Sequence, residues 1–223
     1  MLEERGHKFV RYADDADLRS GNIYVKSLRA AGRVMESCTK FLEGKLKLKV
    51  NRKKSTTGSP TKLKFLGFSL YRNKDGSGIR VHEKSLKRFK DRLKAITSRN
   101  RGGTMERILK EITRLIIGWL RTLVRGYYSI ADIKTYLRGI EAWLRRRIRQ
   151  IFWKRWKRVR TRCENLIQLG TTKDKAWQWA NTRKSYWRTA GSWILTTTLN
   201  NHYLESIGFP NVAKRYEVLH ATR

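Results

Sequence analysis

The spacing of apolar residues changes near His82, and this change limits the fold more than any other feature of the sequence. Before residue 82, short apolar runs stand between turn residues. After it, apolar residues recur every three or four positions, which is the period of a helix. A chain whose strands precede its helices in this way is predicted to adopt an α+β fold.

The first 82 residues predict strands and one helix. Strands are predicted at residues 9–10 and 23–25, and the helix follows at the apolar positions Leu28, Ala31, Val34, Cys38, Phe41 and Leu42. Leu46, Leu48 and Val50 alternate with lysines, which predicts a strand with one buried and one basic face. A further hairpin is predicted by a strand over residues 65–71, turn residues over 73–78 and a return strand over 79–82.

Three amphipathic helices are predicted over residues 83–162. The first has apolar residues at Leu86, Phe89, Leu93 and Ile96; the second, with Thr104 as its N-cap, runs from Ile108 to Leu123; and the third, with Asp132 near its start, runs from Ile133 to Phe152. Together they predict a helical bundle. Residues 163–223 predict a shorter helical region, broken near Gly170 and over 181–191, with helices over 193–206 and 212–220.

The charge of the chain favours a polyanionic partner. Lysine and arginine number 52 against 18 acidic residues, which gives a formal charge of +34. Such a charge repels itself unless a phosphate backbone or a similar polyanion neutralises it. A membrane surface is the competing partner, but no apolar run approaches the roughly 20 residues of a span, and the N-terminus lacks the apolar region of a signal peptide. We therefore expect no membrane partner.

The cysteines and histidines give no metal or disulfide pattern. Cys38 and Cys163 form neither a disulfide framework nor a zinc motif, and the four histidines lack metal-ligand spacing. These features predict a protein of a reducing compartment, and we expect a cytoplasmic location.

The third predicted helix and its continuation carry the densest basic run. Between residues 138 and 162 stand eleven cations and one acid, Glu141, so almost no acidic partners are available along the helix. A solvated face is the ordinary interpretation of such a run. Here the imbalance favours phosphate binding, for which arginine is well suited. The predicted RNA-binding residues are Arg145, Arg146, Arg147, Arg149, Lys154, Arg155, Lys157 and Arg158.

Tryptophans stand beside these basic residues. Trp153 and Trp156 adjoin the basic run, and two interpretations remain open for them: packing in the core, or stacking on unpaired bases. Further along, residues 173–193 interleave five aromatic residues with five cations. That composition is typical of surfaces that bind single strands, although each tryptophan in so small a domain is more often a packing residue.

Two adjacent carboxylates follow a short apolar lead at the start of the chain, in Arg11-Tyr12-Ala13-Asp14-Asp15. Aspartates on a tight turn can hold two divalent cations about 3.5–4 Å apart, as nucleotidyl transfer requires. Adjacent acids on a solvated loop are the alternative.

These motifs together resemble a known family. From Arg5 to about His220, the chain is similar to the C-terminal part of a bacterial group II intron reverse transcriptase/maturase. The similarity is carried by residues 5–15 around the aspartate pair, by residues 46–55, by Phe65-Leu66-Gly67-Phe68, by residues 86–156 with Gly118-Trp119 and 143–149, and by residues 181–188.

The resemblance implies an architecture and roles for individual residues. Residues 1–82 would be a palm remnant of antiparallel strands and one helix, 83–162 the thumb or maturase-specific domain, and 163–223 a basic, tryptophan-rich nucleic-acid-binding region. It implies catalysis and Mg²⁺ binding by Asp14 and Asp15, and a primer grip at Phe65, Leu66, Gly67 and Phe68, for which an ordinary strand with a close-packed glycine is the alternative. In the third region it implies intron or target-DNA contacts by Arg183, Lys184 and Arg188, with Trp187 stacking on a base.

Two departures from the family weaken the inference of polymerase activity. The family's fingers and upstream palm, which supply another metal-binding aspartate, would precede this chain, and about five extra residues follow Asp15. We therefore expect no primer extension by this chain alone. Three functions remain open: an RNA-binding maturase that assists splicing or retrohoming, half of a split reverse transcriptase completed by a fingers/palm chain in trans on a primer–template, and a truncated intron remnant without function.

Overall fold

The structure, a computed structural model, describes residues 2–10, 22–64, 67–74, 76–125 and 133–221. The chain divides into an N-terminal unit, residues 1–82, and a C-terminal unit, residues 83–223. Among the described residues, strands lie only in the N-terminal unit and helices dominate the C-terminal unit. The predicted α+β class is confirmed. None of the described helices is both long enough and apolar enough to cross a membrane.

The described residues of the N-terminal unit form two antiparallel strand pairs and one helix. Strand β1 (Lys8–Val10) pairs with β2 (Asn22–Tyr24), and β3 (Phe68–Asn73) pairs with β4 (Gly76–Val81). Helix α1 (Leu28–Gly44) follows β2 and begins after Ser27, whose hydroxyl accepts a hydrogen bond from the Ala30 amide.

The β3–β4 hairpin is tighter than the sequence predicted, because β3 continues to Asn73 and β4 resumes at Gly76. Tyr71 lies opposite Gly78, and a Cβ atom on Gly78 would stand 2.6–2.7 Å from atoms of the Tyr71 side chain. Only glycine therefore fits at this position without displacing the tyrosine.

The strand predicted at Leu46, Leu48 and Val50 is wrong. Residues 46–50 pair with no strand among the described residues, and the segment folds back on the end of α1, where the Leu48 amide donates to the Leu42 carbonyl at 2.9 Å. Leu46 and Leu48 remain about half exposed. Alternating apolar and basic residues form a strand only where a neighbouring strand accepts their backbone hydrogen bonds. Here a carbonyl near the end of α1 accepts the hydrogen bond of the Leu48 amide instead.

Three long helices open the C-terminal unit: α2 (Glu83–Ile96), α3 (Met105–Arg125) and α4 (Lys134–Arg155). Thr104 caps α3 as predicted, since its hydroxyl accepts from the Arg107 amide at 3.2 Å. Phe89 of α2, 2% exposed, stacks on Trp119 of α3 with ring centroids 4.0 Å apart. The predicted apolar faces of the three helices supply much of the buried core.

Six shorter helices complete this unit: α5 (Val159–Gln168), α6 (Lys173–Ala180), α7 (Tyr186–Ala190), α8 (Trp193–Thr198), α9 (Asn201–Ser206) and α10 (Val212–Ala221). One hydrophobic cluster joins the end of α4 to α5, α6 and α8, with Trp153, Leu166, Ala180 and Leu195 among its members. The single helix predicted over residues 193–206 is wrong. Asn200 interrupts it, because its side chain accepts from the Tyr203 amide and so caps the new helix α9.

Candidate nucleic-acid interface

Helix α4 directs several of its arginines into the protein instead of toward solvent. Arg147 donates to the Thr97 hydroxyl at 2.5 Å and to the carbonyls of Thr97 and Lys94 at 2.8 and 3.1 Å. These carbonyls belong to the end of α2, where the last carbonyls of a helix lack partners within the helix. Burial lowers the pKa of the Arg147 guanidinium from its ordinary value, although an arginine stays protonated at neutral pH.

Two more arginines of α4 bind carbonyls at the ends of other helices. Arg146 donates two hydrogen bonds to the Trp187 carbonyl, at 2.9 and 3.2 Å, and its guanidinium lies 4.2 Å from the centroid of the Trp187 ring. Arg149 is buried and donates to the Leu199 carbonyl at 2.9 Å, next to the end of α8. Burial, followed by the nearby charge of Arg145, lowers the pKa of Arg149.

Glu141, the one acid of the basic run, lies in α4, and its buried side chain contacts the N-terminus of α10. Its carboxylate accepts from the amides of Val212 and Ala213 at 3.0 and 3.1 Å, and it forms an ion pair with Arg145. A carboxylate at a helix N-terminus satisfies free amides and interacts favourably with the helix dipole. Arg145 therefore neutralises a structural carboxylate.

The next cations of the run bind the loop after α2. Lys154 donates to the Asn100 side chain, and Arg155 donates to the Gly103 carbonyl at 2.6 Å. Arg155 remains exposed despite this bond. Six of the predicted RNA-binding residues therefore have partners inside the protein: Arg145, Arg146, Arg147, Arg149, Lys154 and Arg155. Because of these partners, α4 does not present a continuous patch of free cations. RNA binding by these six residues stays a prediction.

The tryptophans near the basic run occupy the core. Trp153 is 1% exposed and Trp156 is 8% exposed, and their rings contact each other edge-to-face with centroids 6.0 Å apart. Of the two interpretations left open by the sequence, the structure favours packing, because a buried indole has no free face for a base. Trp187 is half-buried, and Arg146 covers one face of its ring.

Five of the predicted RNA-binding residues do present free cations. They are exposed, and within the described part of the chain their side chains have no hydrogen-bond or ion-pair partner: Lys157, Arg158, Arg183, Lys184 and Arg188. Lys157 and Arg158 lie on the connection between α4 and α5, Arg183 and Lys184 on the segment between α6 and α7, and Arg188 in α7.

A further basic surface lies along α2, on the face opposite Phe89 and Leu93. Lys84, Lys87, Arg88, Asp91, Arg92 and Ala95 line a shallow groove, which continues past Asp91 and Ala95 to Lys94, Ser98 and Arg147. We call this surface the α2 groove. Within the described ranges, Lys87, Arg88 and Arg92 have no side-chain partner.

The α2 groove was not predicted from the sequence, because the prediction considered how many cations stand close together in the chain and not which side of the helix they occupy. Six cations against two acids stand in α2, and most lie outside the stripe formed by Leu86, Phe89, Leu93 and Ile96. This placement could have predicted a basic surface on α2, since a cation outside the apolar stripe of a helix faces solvent.

The residues implied in catalysis and primer binding are only partly described. Asp14, Asp15, Phe65 and Leu66 lie outside the described residues, so their predicted roles, and Mg²⁺ binding, stay predictions. Gly67 has φ +97°, a conformation that favours glycine, and Phe68 packs into the β3–β4 hairpin. Within the described ranges, no group of three or more His, Cys, Asp or Glu side chains could hold a metal ion.

Fold and surface together define a strongly basic α+β protein whose helical unit carries exposed, unpaired cations. Residues 86–170 match the family model described as "Group II intron, maturase-specific domain". This segment runs from α2 to the end of α5 and includes most of the α2 groove. No curated protein matches the chain significantly. The helical unit therefore contains a region similar to the maturase-specific domain of group II introns.

Proposed function

We propose that this protein binds group II intron RNA through the α2 groove and assists splicing of the intron. The match of residues 86–170 to the maturase-specific domain carries this proposal. It supports intron RNA as the partner, since a maturase stabilises the fold of an RNA that performs the chemistry itself.

The charge of the α2 groove supports RNA as its ligand. Lys87, Arg88 and Arg92 are exposed cations on one helix face, with Asp91 as the acid among them. Arg88 and Arg92 are four residues apart, so they are neighbours on the helix surface with Cβ atoms about 5–6 Å apart. Because no described side chain pairs with Lys87, Arg88 or Arg92, these cations can bind phosphates without first breaking an internal ion pair.

The test is a salt titration of binding to a group II intron RNA. Each lost phosphate contact should reduce the slope of log K against log salt by roughly 0.7–0.9, so the triple variant Lys87→Gln/Arg88→Gln/Arg92→Gln should flatten the slope by about 2–3. Binding is measured by filter retention or fluorescence anisotropy. The same variant should lose its ability to accelerate splicing of the intron at limiting Mg²⁺.

The matched control removes three exposed cations elsewhere in the same unit: Lys173→Gln/Lys214→Gln/Arg215→Gln. Both triple variants change the net charge equally, so a general electrostatic effect would weaken both alike. An equal loss in the two variants, or no loss in the α2 variant, would contradict the assignment of the groove. Failure of the unmodified protein to prefer intron RNA over an unrelated structured RNA would contradict the proposed function itself.

A further inference from the structure

Trp193 is the most exposed tryptophan for which the structure describes the side chain, at 60% of its surface. It is nevertheless fixed in place. Ile194 and Leu195, which follow it in α8, are buried in the cluster that also contains Trp153 and Leu166. An exposed indole on a rigid base presents a large apolar surface without the entropic cost of ordering a mobile segment.

Trp179 of α6 supports the indole of Trp193 from one side. The ring centroids are 4.5 Å apart and the planes meet at 81°, in an edge-to-face arrangement. A neighbour in this arrangement covers at most one face of the Trp193 ring. Since 60% of Trp193 is exposed, much of its ring surface remains accessible to a planar ligand. Trp179 is itself partly buried against the same cluster.

Two cations, Lys175 and Arg183, lie close to Trp179 along the chain. Lys175 lies one helical turn before Trp179 on α6, on the same side of the helix, and it is exposed. Arg183 follows Trp179 by four residues, so it lies within about 14 Å of it along an extended chain. Within the described residues the side chains of Lys175 and Arg183 have no partner.

We propose that Trp193, supported by Trp179, is a stacking platform for an unpaired RNA base, with Lys175 and Arg183 binding the flanking phosphates. The inference deepens the proposed function and depends on it. An open aromatic face beside free cations is the arrangement that binds single strands, because every base offers a π-face while the cations follow the backbone. Protein interfaces are enriched in tryptophan but depleted in lysine, so Lys175 is the feature that favours a nucleic acid over a protein partner.

The position of the platform within the fold connects it to the proposed RNA site. Trp193 shares its hydrophobic cluster with Trp153 and Leu166, and both of these residues lie within the segment that matches the maturase-specific domain. An intron RNA bound by that domain offers unpaired bases in its loops and bulges, which are the RNA elements that side chains can stack on.

The test compares oligonucleotides that do and do not offer a base. The full chain and its Trp193→Ala variant are titrated by fluorescence anisotropy with an unstructured single-stranded RNA, with the same RNA carrying abasic central positions, and with the duplex of the same sequence. Trp193→Ala should weaken binding of the intact single strand by about 5- to 150-fold. Binding of the abasic strand and of the duplex should be unchanged. Single-stranded DNA should show the same loss as RNA, because the contact is with the base.

Trp177→Ala is the matched control. Trp177 is 46% exposed and lies on the opposite side of α6 from Trp179, so its removal should leave single-strand binding unchanged. Trp193→Phe keeps a ring and should lose less affinity than Trp193→Ala. Circular dichroism of each variant establishes that the fold is intact.

The proposed platform would be contradicted if Trp193→Ala bound the single strand with unchanged affinity, or if it lost as much affinity for the abasic strand. It would also be contradicted if Trp193→Ala lost self-association in sedimentation while RNA binding stayed intact, because Trp193 would then belong to a protein contact. If the α2 triple variant loses intron binding while Trp193→Ala does not, only this inference fails. If the unmodified chain binds none of these RNAs, the proposed function fails with it.

Discussion

A guanidinium can donate hydrogen bonds to carbonyl oxygens as readily as to phosphates. Three arginines of α4 donate to carbonyl oxygens. Arg146, Arg147 and Arg149 each donate to a carbonyl oxygen near the end of another helix, and each contact joins residues 41 to 53 positions apart. The direction of these side chains is set by tertiary contacts. The local sequence, with its run of cations, predicted a binding surface because it carries no information about those distant acceptors.

Replacing Arg147 by lysine should test this structural role. A lysine ammonium cannot form the three hydrogen bonds that the planar guanidinium donates to Thr97 and Lys94, so the variant should lose about 1–3 kcal/mol of unfolding free energy. Urea denaturation measures the change.

Arg92→Lys is the control for this substitution. Arg92 is exposed and lies in the α2 groove, so the same chemical change should alter stability by less than about 0.5 kcal/mol. An Arg147→Lys variant as stable as the unmodified protein would contradict the structural role of Arg147.

Among the elements, periodicity predicted the long helices and α10 well, and the short helices between α4 and α10 poorly. Helices α1 to α4 have continuous apolar faces, and their positions follow from the spacing of those residues. The break between α8 and α9 follows from one side chain, Asn200, whose capping bond competes with continuation of the helix. A local competition of this kind leaves the apolar spacing unchanged, so the period could not reveal it.

Asn200 should therefore contribute measurably to stability. Asn200→Ala removes the acceptor for the Tyr203 amide and should reduce the unfolding free energy by about 0.5–2 kcal/mol. Asn200→Asp keeps an acceptor at the same position and should retain most of the stability. Thermal melts followed by circular dichroism distinguish the two; equal melting temperatures for the alanine and aspartate variants would show that the cap contributes nothing.

At the scale of the whole molecule, the two units differ in how much apolar surface they bury. Among the described residues of the N-terminal unit, Phe68 and Val81 are the buried apolar side chains, and α1 has no buried residue. The C-terminal unit holds the rest of the described core. Within it, α4 packs against α7 and α10, which follow it in sequence, so the three predicted bundle helices do not form the core alone.

A fragment of residues 83–223 should therefore melt cooperatively, whereas a fragment of residues 83–160 should not. The shorter fragment leaves Glu141, Arg149 and Trp153 without the partners that residues 166–213 provide. Residues 1–82 alone should also lack a cooperative transition, because two-stranded sheets are at best marginally stable in isolation. Cooperative melting of residues 83–160 with the same midpoint as residues 83–223 would contradict this expectation.

The contacts of the buried Glu141 carboxylate also set the order in which parts of the helical unit can be completed during protein synthesis. Its partners at Val212 and Ala213 lie 71 and 72 residues further along the chain. At the usual rate of protein synthesis of about 5–20 residues per second, roughly 4–14 s pass between the synthesis of Glu141 and that of its partners. During this interval the Glu141 carboxylate lacks the two amides to which it is bonded in the folded protein. The helical unit can therefore be completed only after α10 has been synthesised, seconds after α4.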